Sequence, residues 1–546
     1  MSYIIRGLEI SRVLSVGIAI LAGFGSVAWA ANCSVVKEHE PSAAEQALSK
    51  GDNDKAVLLY RSELGSHKND AELTAGLVEA LLRQEKMQDA SDAVEAALKG
   101  NHEGAHASAV LLTAKAEVQY REGIPWDAAT TATAAFQADP CLPRAHLILG
   151  RIARLNSYYA TAKSNMVLAH RLDPGDVDIQ REWLATLPRK QRVVELQQPA
   201  SESDKSTQLA VGQSNTAKAG GDASHGVCRL VSSTQSTEIP LGKLMQDAMH
   251  VRAYGLDVRL NDKVARLEID TGAPGLTVSK HIADQAGLKP VGAGGVIGVG
   301  DQGNAVSYTA YADSIKIGDM AFQDCMVKVI EDKRLSQDGL IGLDVFSNFL
   351  LTLNYPDHKL ALGPLPPRPS EGAVQPTLGT DGAEADSSAE QAGPFDRYIA
   401  PEMKDYTQIY RVGHDLLLPV SLNKSKWTLM IMDSGAFATT ISPATARSVT
   451  NVHVSSDYEI KGINGKVDKV YAAREIRFVF AKKAELLEEV PAFDTSNISR
   501  NLGVEVAGFL GARTLTQMSI HIDYRDGLVR MDYNPNKLKG DQEQIE

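Results

Sequence analysis

The 546-residue sequence contains only four cysteines, at positions 33, 141, 228 and 325, and no two have C-x-x-C spacing. That argues against a zinc site or a dithiol redox centre. Its 13 histidines form no H-E-x-x-H or similar cluster, so no metal is expected. No Lys/Arg cluster occurs, and the formal net charge is −12. Such a chain repels phosphate backbones, which excludes nucleic acid as a natural partner. The sequence also lacks an uncharged apolar run of the roughly 20 residues that a membrane-spanning helix needs. With 43% hydrophobic and 23% charged residues, it has the composition of a soluble globular protein. The length exceeds one ordinary core and predicts about three or four domains.

Residues 1–30 stand apart. Arg6 and Arg12 precede an uncharged stretch over 13–27, followed by Ala28-Trp29-Ala30. A positive flank, a short apolar core and small residues at −3 and −1 of a cut after Ala30 describe a secretory signal peptide. The expected location is therefore periplasmic or extracellular, without stable membrane insertion after cleavage. An uncleaved, membrane-tethering segment is the alternative. Asn32 before Cys33 argues against a lipoprotein signal. Export permits disulfides, with three pairings left open.

From about Ala43 to Trp183 the pattern is helical and recurrent. Ala56, Ala90, Ala128 and Ala162 follow one another at intervals of 34, 38 and 34 residues, and Asp139-Pro140 and Asp173-Pro174 are 34 apart. Small residues where paired helices cross, with Pro closing the second helix, resemble the tetratricopeptide repeat. Several repeats lack the large aromatic residues of that pattern. The region either binds a protein partner or serves as an α-helical solenoid that spaces and docks the remainder.

Residues 196–226 are rich in Gln, Ser, Ala, Gly and Lys, and residues 364–394 in Pro, Gly, Ser, Ala and acids; both read as linkers. They bound two β-rich segments that repeat each other. LEIDTGAPGLTVS (267–279) aligns without a gap with MIMDSGAFATTIS (430–442), pairing Asp270 with Asp433. GLIGLDVFSNFLLTLNYPD (339–357) aligns with GFLGARTLTQMSIHIDYRD (508–526) at a constant offset of 169. The expected divisions are a signal peptide (1–30), helical repeats (31–190), a linker (191–235), a first lobe (236–365), a second linker (366–402), a second lobe (403–537) and a polar tail (538–546).

An isolated D-[ST]-G arises by chance in a chain this long roughly a quarter of the time, and its ordinary role is a turn. Two copies in register, each after an apolar strand and each followed about 70 residues later by apolar-apolar-Gly, are another matter. The pattern resembles the aspartic proteases of the pepsin and retropepsin type. The matching residues are Asp270-Thr271-Gly272-Ala273 with Leu340-Ile341-Gly342, and Asp433-Ser434-Gly435-Ala436 with Phe509-Leu510-Gly511. The resemblance implies an all-α helical-repeat solenoid followed by two all-β aspartic-protease-like lobes. It also implies a polypeptide substrate, no cofactor, and Asp270 and Asp433 as the catalytic pair. Two carboxylates about 3 Å apart hold one shared proton. One activates water while the other supports the carbonyl oxygen. Thr271 and Ser434 are expected to tie the loops together. Gly272 and Gly435 are expected to permit a tight backbone turn beneath the acids, with Gly342 and Gly511 behind them.

Flap candidates are the glycine-rich segments 294–303 (Gly298, Gly300, Gly303) and 461–466 (Gly462, Gly465). The first contains G-x-G-x-x-G, but no helix pattern follows it, which argues against a dinucleotide site. The expected activity is exported aspartic endopeptidase. The alternative is an inactive peptide-binding or scaffolding protein that keeps the same fold.

Overall fold

A computed structural model describes residues 40–187, 228–369 and 395–533, apart from 101–103, 248–250, 297, 304, 332–334, 336–337 and 425, together with 4–6, 33–36 and 191–192. The signal-peptide cut, most of the two linkers and the C-terminal tail fall outside the described residues.

Among the described residues nine helices run between 43 and 185: α1 (Ala43–Ser49), α2 (Asn53–Ser66), α3 (Ala71–Arg83), α4 (Met87–Lys99), α5 (Ala105–Arg121), α6 (Pro125–Ala138), α7 (Pro143–Leu155), α8 (Tyr159–Leu172) and α9 (Val177–Ala185). Their boundaries follow from local chemistry. Ser42 and Glu45 form a reciprocal capping box at α1, and Asp52, Asp70 and Asp176 cap α2, α3 and α9. Pro125 and Pro143 open α6 and α7, where a missing N–H costs nothing. Asp139 and Asp173 end α6 and α8 and bend the chain onward by accepting from the N–H groups of Cys141 and Gly175. The four recurring alanines lie on α2, α4, α6 and α8 and are buried, where a larger side chain would push the helices apart. Charged residues of α3, α5, α7 and α9 pair with one another: Arg151 bridges Glu117 and Glu182, and Arg144 bonds Asp176 at 2.8 Å.

The β-rich remainder contains two sheets with the same strand order. In the first, Met320–Ile330, Leu276–Ser279, Gly339–Ile341, Lys263–Ile269, Val251–Leu260 and Ala305–Ile317 lie side by side, and the first and last also pair, closing the sheet. The second repeats the order with Lys483–Ala492, Thr440–Ile441, Gly508–Leu510, Lys426–Met432, Asp415–Leu422 and Tyr471–Phe480, and closes likewise. Ile4–Arg6 lies antiparallel along the edge of Lys483–Ala492.

Strands from both halves join in a third, six-stranded sheet. At its centre Phe349–Asn354 runs antiparallel to Met518–Asp523, with Thr352 opposite His521. These two residues are equivalent by the offset of 169, so the local two-fold axis passes between them; their side chains hydrogen-bond at 2.9 Å. One apolar core runs through both halves, from Leu256 and Ile269 to Met432 and Leu510. The two halves of a single chain are therefore one folded body. Cys33 pairs with Cys141 and Cys228 with Cys325, one of the three arrangements left open by the sequence.

The polar composition of residues 196–226 suggests a helical region held apart from the lobes. The structure differs. Ala128, Ala132, Ile148 and Ile152 of α6 and α7 share an apolar cluster with Tyr410, Leu417, Ile431 and Phe509. Polar contacts frame it: Glu505 N–H donates to Arg121 O, Thr161 bonds the Asp396 carboxylate, and Arg500 pairs with Glu85. Linker composition reports the connection between regions; it carries no information about the apolar faces that meet across it.

Candidate active site

The strand Lys263–Ile269 is buried over its last three residues and its ladder stops at Asp270; Lys426–Met432, buried from Thr428 to Met432, stops likewise before Asp433. Each acid's own N–H donates to the strand behind it, Asp270 to Ile341 O and Asp433 to Leu510 O, both at 3.0 Å. Those backing strands, Gly339–Ile341 and Gly508–Leu510, run parallel to the acid-bearing strands and antiparallel to the ones that follow. A Cβ on Gly342 or Gly511 would strike the backbone of the loop in front, at Ala273 and Ala436 respectively. That close approach explains the glycine in both apolar-apolar-Gly motifs.

The two loops interlock across the local two-fold axis. Ser434 N–H donates to Thr271 Oγ1 (2.8 Å) and Thr271 N–H to Ser434 Oγ (3.1 Å). The hydroxyls in turn donate across the axis, Thr271 to Met432 O (2.6 Å) and Ser434 to Ile269 O (2.9 Å). Both residues are buried, so these four bonds fix the separation of the strands that carry the acids.

Asp270 and Asp433 meet, hydrogen-bonded to each other. Gly272 N–H donates to Asp270 (2.9 Å), while Gly435 and Ala436 N–H both donate to Asp433 (2.8 and 3.1 Å). Burial, then the Asp433 charge, then Glu268 hold the Asp270 carboxyl well above the usual carboxylate range. Asp433 is raised by burial, with the hydrogen bonds from Asp270, Ala436 and Gly435 opposing the shift. Extra donors favour the anion, so Asp433 is the better home for the charge and Asp270 for the proton.

The expected role of Gly272 and Gly435 needs correction. Neither has a left-handed backbone. A Cβ on Gly272 would instead lie 2.8 Å from the Asp433 carboxyl carbon, and one on Gly435 would meet the Asp270 carboxylate. Each glycine leaves room for the other loop's acid.

The two flap candidates meet each other. Lys461–Gly462 and Gly465–Lys466 form a small hairpin. Its tip engages residues 298–302: Asn464 N–H donates to Val299 O, Asn464 Nδ2 to Gly298 O, and Gln302 N–H to Asn464 O, at 2.9 to 3.0 Å. Gly298, Gly300 and Gly462 lie at the crossing, where a Cβ would clash with Ile463, Asn464 and Val299 respectively. Gly300 and Gly465 have φ of 125° and 92°, a region open to glycine. Gly303 has φ of 78° and no neighbour that a Cβ would meet, so it shapes the turn rather than the contact.

Several residues around the acids were not singled out in the sequence. Glu268 is buried and pairs with Arg252 at 2.8 Å. His414 Nε2 lies 3.2 Å from Gly272 O. Asp415 is buried beside it, and burial, with the Asp433 and Asp344 charges adding, pushes its carboxyl up to about 7. Asp344 accepts from Gly275 N–H through both oxygens (2.9 and 3.1 Å).

Comparison with known families gives one match: residues 256–345 fit the family model described as aspartyl protease. The span contains Asp270 and Gly342; the second lobe and Asp433 lie outside it. No curated protein matches the chain.

Proposed function

We propose that the chain is an exported aspartic endopeptidase whose site is completed within one polypeptide by Asp270 and Asp433. The observation that carries this reading is the pair of carboxylates in mutual contact, each delivered by the same strand-loop-strand arrangement and locked by Thr271 and Ser434. The match of residues 256–345 to an aspartyl protease model supports the same chemistry. The two disulfides support export, since such bonds persist in oxidising compartments. Among the described residues no helix is long and apolar enough to cross a membrane.

In the proposed reaction a water sits between the acids. Asp433, the ionised member, takes a proton from that water as its oxygen attacks the scissile carbonyl carbon. Asp270, the protonated member, donates to the carbonyl oxygen as it gains charge. Collapse of the tetrahedral intermediate returns a proton to the leaving amine, and the pair again holds one proton. The polypeptide reaches the acids after the contact between residues 298–302 and 461–466 opens. The helical region, proposed as tetratricopeptide-like, acts as a dock for the second lobe. Its charged residues on α3, α5, α7 and α9 are engaged with one another, which favours this role over binding of a separate partner.

The test is hydrolysis of an unfolded polypeptide by the full chain, Asp270→Asn and Asp433→Asn. Cleavage by the wild type alone supports the reading. Full activity in either variant removes the acid pair from the mechanism. No cleavage by the folded wild type favours the binding-protein alternative.

A further inference from the structure

The local two-fold symmetry that makes the acids equivalent fails beside them. By the offset of 163 that pairs Asp270 with Asp433, Pro274 corresponds to Phe437. By the offset of 169 behind the loops, Asp344 corresponds to Arg513. Strand register makes Arg252 the counterpart of His414: each stands three residues before the partner of an equivalent position, Gly255 opposite Glu268 and Leu417 opposite Ile431. One loop is thus flanked by proline, histidine and aspartate, and the other by phenylalanine and two arginines.

The difference changes what the side chains can do. Asp344 is buried and holds the first loop through Gly275 N–H. In the second lobe, loop support comes from Thr439, whose hydroxyl accepts from Gly511 N–H at 3.1 Å and bonds Thr514 at 2.7 Å. Arg513 is released from that duty. Its N–H donates to Phe437 O, its guanidinium stands 5.9 Å from the Phe437 ring centre, and the side chain is exposed. Phe437 is 48% exposed although it lies four residues from Asp433. Among the described residues no carboxylate lies within ion-pair distance of Arg513, whereas Arg252 is already balanced by Glu268. Arg252, Tyr254, Phe437, Ala512 and Arg513 line a shallow surface depression open to solvent.

We infer that this depression is a substrate subsite selective for an acidic side chain, with Arg513 the residue that sets the selectivity. A glutamate fits its chemistry: the methylenes pack on Phe437 and Ala512, and the carboxylate meets Arg513, with Arg252 near by. Around the first loop, Pro274, His414 and Asp344 stand where Phe437, Arg252 and Arg513 stand around the second, so the cleft reads a polypeptide with direction, demanding an acid on one side of the scissile bond. This inference rests on the proposed peptidase reading but is separable from it.

The experiment uses the full chain and sets of peptides that differ only by Glu or Gln at each of the three positions on either side of the scissile bond. It is run near pH 6, where a free glutamate is ionised. One position is expected to favour Glu by about tenfold in kcat/KM, the range of a partly exposed charge-assisted contact. Arg513→Gln should bring that ratio to near one, and Arg513→Glu should reverse it toward Gln. Absence of any position with a Glu preference, or a preference that survives Arg513→Gln, overturns the inference while leaving hydrolysis itself established. Binding of the same peptides to the Asp270→Asn chain supplies the second readout. A chain that cleaves nothing, yet binds the Glu peptide about tenfold more tightly in an Arg513-dependent way, keeps the subsite and refutes the peptidase reading.

Discussion

The first and second lobes share a backbone frame and differ in what surrounds it. Both deliver an acid at the end of an apolar strand, back it with a glycine-ended strand, and give a buried hydroxyl to the other loop. Yet His414, Asp415 and Asp344 crowd the first loop, while Arg252, Phe437 and Arg513 border the second. Among the described residues, α6 and α7 pack against Ile431 and Phe509 of the second lobe, on the strands that bear Asp433 and its backing. Identity is kept where the two acids need the same geometry. Divergence occurs where a polypeptide or a neighbouring region has to be met.

The sharpest way to break the equivalence is at the acids. Asp270→Asn and Asp433→Asn are each expected to lower kcat by at least about 10³, and the double variant to lose little more, because two groups acting as one unit are not additive. Single-turnover hydrolysis by the three variants measures this. Multiplying losses would mean that the acids act separately.

Next comes the difference in outer support. Ile148 is buried in the cluster shared with the second lobe, so Ile148→Ala should destabilise by about 2–5 kcal/mol. Hydrogen exchange should quicken in Lys426–Met432 more than in Lys263–Ile269. Equal effects in the two strands, or melting of the helices alone, would show that the dock does not hold the site.

A smaller, pH-dependent effect distinguishes Asp415 from its first-lobe counterpart, Ala253. The folded Asp415 carboxyl is raised to about 7, against about 3.9 in an unfolded chain. Between those values the folded chain keeps a proton that the unfolded chain has lost, so this group's contribution falls as pH rises and levels off above about 7. Asp415→Asn should match the wild type at pH 4 and exceed its stability at pH 8 by at most about 4 kcal/mol. Thermal unfolding at the two pH values checks the sign. A variant less stable at pH 8 than the wild type would refute it.

How much of this was legible in the sequence follows from which contacts are encoded locally. Asp270, Asp433 and their loops stood out because the whole unit occurs twice, and a repeated pattern at constant offset is visible without coordinates. The alanines recurring at 34 to 38 residues marked the helical region for the same reason. Gly272 and Gly435 were legible as necessary but not for their reason, since the space they provide is filled by an acid 160 residues away. His414 precedes its strand, and Asp415 and Arg252 lie at the start of theirs, with no motif around them. A closer comparison of the two halves would have flagged Asp344 against Arg513, because that pair breaks an otherwise regular alignment. The contact between α6–α7 and the second lobe depends on which apolar faces are left over once each region has folded, and no local pattern records that.

The central claim is that two acids in one chain share one proton, and the pH profile of kcat/KM for peptide hydrolysis tests it most directly. It should be taken with dilute wild-type chain across roughly pH 3 to 8. The shared-proton state exists only between the two apparent pKa values of the pair, so the account predicts a bell with its maximum on the acidic side. It also predicts a rate proportional to chain concentration, since both acids belong to the same molecule. Activity that climbs steadily through neutral pH, or that rises with the square of chain concentration, would contradict it.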